Sequence, residues 1–219
     1  MLKNIVFDMG NVLIHYDPQL VLDRFCETEE ERTVIYRELF QGEDWVKTDL
    51  GLITDEELFE LVKKRVPEEM HGKLKECVEH WDICLSPIEG AKEFLDKLRE
   101  LTQVIIISDT FSQFAGPLMK KLGYPTIFCN SLVVADNGEI VDFKMRCEKS
   151  KYTTVKALQS IGYDTIASGD SHNDLGMIQA SKAGFLFKST DAIKAEYPEI
   201  PAYETYDELY AAIKGVIEA

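Results

Sequence analysis

Val104-Ile105-Ile106-Ile107-Ser108-Asp109-Thr110 is the stretch that decides the fold. Four β-branched residues in an unbroken run suit a strand covered on both faces, as in a parallel sheet. The run ends in three polar residues, and open α/β sheets bind their ligands just beyond the carboxyl ends of such strands. On either side, strands and helices alternate. An amphipathic helix from Ala91 to about Leu101 leads in, and a second follows over about 112–122. Thr126-Ile127-Phe128 then reads as a strand, and 131–145 as a hairpin turned by Asp136-Asn137-Gly138. A helix from about 150, a strand at 165–169, a helix from about 173, a strand over 184–187 and a last helix from about 206 continue the alternation.

Residues 4–8 form another short apolar run, ending in Asp8. Between the two runs the pattern changes. Leu20-Val21 with Phe25, Val34-Ile35 with Leu39-Phe40, and Leu58-Phe59 with Val62 repeat at three or four residues, the helical spacing. Thr54 and Glu57 make a capping box, and the acidic run Glu27 to Glu31 suits a helix start. The expected class is α/β: a Rossmann-like parallel-sheet core from residues 1–17 and 83–219, with a small helical unit, 18–82, inserted after the first strand.

Asp8, Ser108 and Asp170 each stand at or just past the end of a separate apolar run, so three strands can deliver them to one crevice. With Lys151 they form a set suited to phosphate. Asp8 is the expected nucleophile, because a carboxylate that attacks phosphorus splits a hard hydrolysis into two easier steps. Ser108, Asp109, Thr110 and Asn173 are read as substrate-binding residues; hydroxyl and amide groups suit phosphoryl oxygens. Lys151 neutralises developing charge. Asp170 and Asp174, in Gly169-Asp170-Ser171-His172-Asn173-Asp174, are expected to hold Mg2+, a hard cation served by few carboxylates. Each residue also has an ordinary reading: Asp8 as a turn cap, Ser108 as a helix cap, Lys151 as a surface lysine. Their common order along the chain favours the phosphate set. His172 is read as a flank or substrate contact, because imidazole suits softer metals.

The chain of 219 residues is long enough for one α/β domain and a modest appendage. A net charge of −15 argues against nucleic acid or an anionic membrane as partner. No signal peptide or membrane-length apolar stretch is read from the sequence. Five scattered cysteines without a C-x-x-C pair suit reduced thiols in a cytoplasmic protein. The expected partner is a small phosphorylated metabolite, and the expected state a monomer or homodimer.

At these residues the chain resembles the haloacid dehalogenase (HAD) superfamily of phosphohydrolases. Phe7-Asp8-Met9-Gly10-Asn11-Val12-Leu13 is similar to its first motif, Ser108 to its second, Lys151 to its third and Gly169 to Asp174 to its fourth. The resemblance implies a HAD-like core with a small helical cap at 18–82, and Mg2+ held by Asp8, the Gly10 backbone carbonyl, Asp170 and Asp174. Within the superfamily, Pro87 to Ala91, Val104 to Phe111 and Leu122 to Thr126 resemble the phosphoserine phosphatase and homoserine phosphotransferase group, which implies a place in serine biosynthesis. Tyr16-Asp17-Pro18 and Trp45 to Gly51 look instead like the cap of sugar-phosphate phosphatases. The implied activity is phosphomonoester hydrolysis through an aspartyl-phosphate, with phosphoserine as first substrate and homoserine as a possible acceptor; a sugar phosphate is the alternative. A receiver-like phosphate-binding protein is a further reading, disfavoured by the long insertion, and a dehalogenase would have no need of the metal motif. One departure stands out: the family's acid/base Asp, two residues after the nucleophile, is Gly10 here. Asp17 and Asp109 are the nearest substitutes in sequence.

Overall fold

A computed structural model describes residues 3–49 and 52–219. The strands are β1 (Lys3–Phe7), β2 (Ile14–Tyr16), β3 (Leu85–Pro87), β4 (Gln103–Phe111), β5 (Thr126–Val134), β6 (Ile140–Lys144), β7 (Asp164–Gly169), β8 (Ala183–Phe187) and β9 (Ala202–Tyr203). Seven of them form one sheet in the order β6-β5-β4-β1-β7-β8-β9, and β2 pairs with β3. The β1–β4, β1–β7, β4–β5, β7–β8 and β8–β9 pairs are all parallel. The α/β class is therefore as expected. Chain order reverses around β1, the switch point where open α/β sheets form a ligand crevice.

Contacts divide the chain into two units: Met1–His15, Pro87–Val134 and Val141–Ala219 in one, Tyr16–Ser86 and Ala135–Ile140 in the other. In the sheet unit, Val6, Ile105, Ile107, Ala167 and Leu186 project from the strands onto Val155, Leu175 and Ile178. Each fully buried aliphatic side chain of this kind contributes about 1.5–3 kcal/mol. The strands read as apolar runs because helices cover them.

The helical unit carries α1 (Gln19–Phe25), α2 (Glu29–Ile35), α3 (Glu43–Asp49), α4 (Asp55–Val62) and α5 (His71–Glu79). Leu22, Ile35, Leu39, Leu58, Val62 and Leu74 form its core, with Trp45 edge-on to Trp81 at 5.8 Å. The Thr54–Glu57 box opens α4 as expected. Thr28 and Glu31 form a second box, so one acid of the Glu27–Glu31 run caps α2. The hairpin tip 135–140 groups with this unit, whereas the sequence places all of 83–219 in the core.

The helices of the sheet unit are α6 (Ala91–Arg99), α7 (Ser112–Lys121), α8 (Ser150–Ser160), α9 (Leu175–Ala180), α10 (Asp191–Glu196) and α11 (Tyr206–Glu218). Two strand boundaries differ from expectation. Thr126 to Val134 is one strand rather than a strand followed by a separate hairpin arm. β4 runs on past Ser108 to Phe111 with a break in register: between Ile107 and Phe111 it advances four residues, while β5 advances two, from Phe128 to Asn130. Such a bulge bends a strand and re-aims its side chains.

Candidate active site

The apolar ladder of β1 ends when the Asp8 N–H donates to the Ser168 carbonyl at 3.1 Å, which fixes Asp8 at the sheet's carboxyl edge. The loop beyond folds back sharply, with the Leu13 and Ile14 N–H groups both reaching the Met9 carbonyl at 3.0 Å. Asn11 takes a positive φ of 49°, a conformation Asn tolerates better than most residues. Its amide then donates to Asp170 Oδ2 at 3.2 Å, tying the loop after β1 to the loop after β7.

The bulge in β4 delivers the second element. Ser108 is 6% exposed, and its hydroxyl oxygen accepts the Thr110 N–H at 3.3 Å, which leaves the O–H free to donate to a ligand. The Asp109 carboxylate accepts from the Asn173 amide at 2.7 Å, and the Asp109 carbonyl accepts from the Asn130 amide at 2.8 Å.

Lys151, in the first turn of α8, is buried between acids. Its ammonium lies 3.0 Å from Asp8 Oδ1 and 2.6 Å from Asp174 Oδ1. Burial alone would lower its pKa, but the joint attraction of Asp8 and Asp174 outweighs this and holds it above the ordinary lysine range. Asp174 divides its work. Oδ1 meets Lys151, while Oδ2 accepts from the Asp170 and Ser171 N–H groups and the Ser171 hydroxyl at 2.9–3.0 Å. Gly169 makes this possible: a Cβ there would lie 2.4 Å from Asp174 Cβ and Cγ, closer than atoms can pack.

Asp8, Met9, Gly10, Asn11, Ser108, Asp109, Thr110, Lys151, Asp170, Ser171 and Asn173 line one cavity of about 390 Å³. Every expected site residue except Asp174 reaches this wall. Asp174 stands fully buried behind it, and direct metal ligation by Asp174 would compete with the bonds just described. A second cavity of about 710 Å³ shares Asp109, Lys151 and Asn173, and extends over Met145, Tyr152 and His172. His172 itself is tied to Glu196 at 3.0 Å. Asp17 has its carboxylate turned to the Gln19 N–H at the start of α1.

The donor set suits a hard divalent cation. Carboxylate oxygens of Asp8, Asp170 and, behind them, Asp174 lie within 4.8 Å of one another, and the Lys151 ammonium meets this acidity at Asp8 and Asp174. Burial, then the Asp174 charge, lift the Asp8 carboxyl to about 6 against the pull of Lys151. Burial lifts Asp170 as well, opposed by the Asn11 hydrogen bond and reinforced by Asp174. A cation among these oxygens would relieve that crowding. The Gly10 carbonyl accepts the Val12 N–H at 2.5 Å and keeps a second lone pair.

Sequence reasoning misses two residues that hold the site. Asn130, 1% exposed, bridges the Asp109 carbonyl and the Arg146 N–H, accepting the latter at 3.0 Å. Arg146 donates to the Ser150 carbonyl at 3.2 Å and hydroxyl at 2.7 Å, and to the Thr154 hydroxyl, while lying 5.1 Å over the Phe128 ring. The chain Asp109–Asn130–Arg146–Ser150 thus joins the bulged loop to the first turn of α8, where Lys151 sits.

The haloacid dehalogenase-like hydrolase family model matches residues 2–182. Phosphoserine phosphatase ThrH of Pseudomonas aeruginosa is 38% identical over 168 residues, which cover 77% of this chain and 82% of that protein. Phosphoserine phosphatase of Pseudomonas syringae pv. tomato is 45% identical over 125 residues, 57% of this chain and 53% of its own. Among solved structures, a substrate-bound phosphoserine phosphatase complex aligns with a TM-score of 0.58 at 21% identity, covering 94% of each chain. A phospho-aspartyl intermediate analogue of phosphoserine phosphatase aligns at 0.55 and 23%, covering 89% of this chain and 90% of that one, and both share the fold. With its motifs gathered at one crevice and residues 2–182 matched by the family model, this chain belongs to the haloacid dehalogenase-like hydrolases and is a phosphatase.

Proposed function

We propose that this phosphatase hydrolyses phosphomonoesters through an aspartyl-phosphate on Asp8, with Mg2+ as cofactor and phosphoserine as substrate. The observation that carries the mechanism is Asp8 at the strand edge, braced by Lys151, beside a cavity lined by Ser108 and Asp170. The P. aeruginosa and P. syringae relatives, both phosphoserine phosphatases, support the substrate.

An Asp8 oxygen forms a bond to phosphorus as the ester oxygen leaves and takes up a proton. Water then attacks the same phosphorus, loses its proton and expels the Asp8 carboxylate. An alcohol such as homoserine can take the place of water in that second half. The Ser108 hydroxyl donates to a phosphoryl oxygen, and Lys151 offsets charge as it develops. Asp8, Asp170 and the Gly10 carbonyl would hold Mg2+, which when bound supplies positive charge beside the phosphoryl oxygens. Asp174 stays behind them and fixes both Lys151 and the Asp170 loop. The free thiols of all five cysteines support a cytoplasmic setting, and no helix among the described residues is long and apolar enough to cross a membrane.

Phosphate release from a panel of phosphoserine and sugar phosphates, with and without Mg2+, tests the proposal. The expected result is Mg2+-dependent release, fastest from phosphoserine, and abolished in Asp8→Asn. Preference for a sugar phosphate would reassign the substrate. Activity that survives Asp8→Asn would overturn the mechanism.

A further inference from the structure

Strand β6 (Ile140–Lys144) closes one edge of the seven-stranded sheet. Edge strands leave backbone donors and acceptors open, and monomeric proteins blunt them with charge, proline or cover. Here the edge carries charge at Asp142 and Lys144, yet its other side is apolar and exposed. Val141, Phe143 and Met145 alternate along it at 55–58% exposed. Phe143 lies 6.4 Å from Phe111, and Phe111 lies 6.3 Å from Phe114, so the apolar surface continues beyond the strand. Contiguous exposed apolar surface of this kind marks an interaction site more often than idle surface.

The strand also indicates what covers it. Between Val141 and Met145 the charges alternate as Asp142 and Lys144, one on each side of Phe143. Both are exposed and neither forms an ion pair among the described residues; Asp142 Oδ1 accepts the Phe143 N–H at 2.8 Å, which leaves Oδ2 for a partner. An antiparallel copy of the same strand, related by a two-fold axis through Phe143, sets Asp142 opposite Lys144 of the copy. The same axis sets Lys144 opposite the copy's Asp142, and Phe143 opposite itself. Opposite charges directly across a strand pair are favourable and like charges are not. The sequence is thus complementary to itself in this one register, as an isologous interface requires.

Net charge agrees. The chain carries −15 overall, which opposes self-association, yet residues 140–149 hold two acids (Asp142, Glu148) and three bases (Lys144, Arg146, Lys149). This segment is where an acidic chain meets its own copy with least repulsion.

We propose that the protein forms a two-fold dimer by antiparallel pairing of β6 with β6 of a second copy, extending the sheet across the axis. A strand of five residues with its flanking aromatic rings makes a small interface, so the dimer is of the weak, concentration-dependent kind.

Sedimentation velocity over a micromolar to submillimolar concentration series tests this on the whole chain. Wild type is expected to shift from monomer to dimer as concentration rises. Asp142→Lys sets lysine opposite lysine twice and should hold the protein monomeric, as should Lys144→Glu through the acids. Combining Asp142→Lys with Lys144→Asp restores complementarity and should restore the dimer. Circular dichroism and turnover of an aryl phosphate, both expected unchanged, show that the variants fold; if one charge variant misfolds, the other carries the test. Wild type that stays monomeric throughout overturns the proposal. So does a dimer indifferent to both single variants, which would mean a different surface or partner, and so does a double variant that stays monomeric.

Discussion

Replacing Gly10 with Asp tests what the missing acid costs. A Cβ at position 10 would have Asp8 Oδ2 at 3.8 Å as its nearest neighbour, ordinary van der Waals contact, and the backbone there needs no positive φ. The substitution therefore fits without strain. It places a carboxyl beside the nucleophile, among acids that burial already lifts, Asp8 to about 6. The neighbouring carboxylates favour the protonated form of a group placed there, which is the form able to donate, although position 10 itself is exposed. General acid catalysis is worth about 10²–10⁴-fold, and the lower figure corresponds to roughly 2.7 kcal/mol off the barrier. Crowding by existing carboxylates opposes the gain, so we expect about 10²-fold or less in kcat/KM on phosphoserine, whose alkoxide needs a proton. A nitrophenyl phosphate, whose leaving group needs none, should barely respond. The assay is steady-state phosphate release from both substrates in wild type and Gly10→Asp, with Asp17→Asn as control for a substitute acid. Equal changes on both substrates would refute the reasoning, because Gly10 would then act on something other than leaving-group protonation.

Two further outcomes follow from the same geometry. Asp8 has a native pKa raised above its unfolded value, so the folded state binds the extra proton at low pH, and the stability this brings is lost as pH rises from about 4 through about 6. Asp8→Asn should therefore raise the Tm of metal-free protein at pH 7.5 and give little gain near pH 4; a lowered Tm at pH 7.5 would contradict this. In Gly169→Ala the added methyl meets Asp174 at 2.4 Å, so Asp174 must retreat by about 1 Å to regain ordinary contact. Overpacking of this kind costs about 1–3 kcal/mol, and a displacement of that size costs about 10²-fold in turnover; wild-type kinetics and Tm together would disprove the packing account.

The parts of the site legible in the sequence are those written contiguously. Asp8, Ser108 and Asp170 each follow an apolar run, and a run followed by a polar residue is a local signal of a strand's carboxyl end. Lys151 is legible by its place in order. The bulge between Ile107 and Phe111 is not, because a change of register is a relation between two strands and leaves no mark on one. Asn130 and Arg146 escape for the same reason: their bonds to Asp109 and Ser150 depend on distances in space, and an Asn in mid-strand or an Arg before a helix carries no periodic signal. The short β2, β3 and β9 fall below the length at which alternation can be read. The hairpin reads correctly as a turn, while its grouping with the helical unit rests on contacts far along the chain.

The two glycines at the crevice carry opposite information that their shared identity hides. Gly169 is obligatory: its missing side chain is the space into which Asp174 folds, and through Asp174 it positions Lys151 and the Asp170 loop. Gly10 is free of any such demand, since nothing but Asp8 lies within 4 Å of where its Cβ would be. A glycine kept by packing reports on the scaffold, whereas a glycine in open space reports on chemistry the side chain would have performed. The electrostatics sharpen the contrast. Asp8 and Asp170 already sit above their ordinary pKa values, and an ionised carboxylate at position 10 would add charge to a cluster that Lys151 and the Asn11 amide offset only in part. The absence of that acid therefore lowers the electrostatic cost of assembling the site while withholding a proton from the leaving group, and the response to Gly10→Asp measures which of the two effects governs turnover.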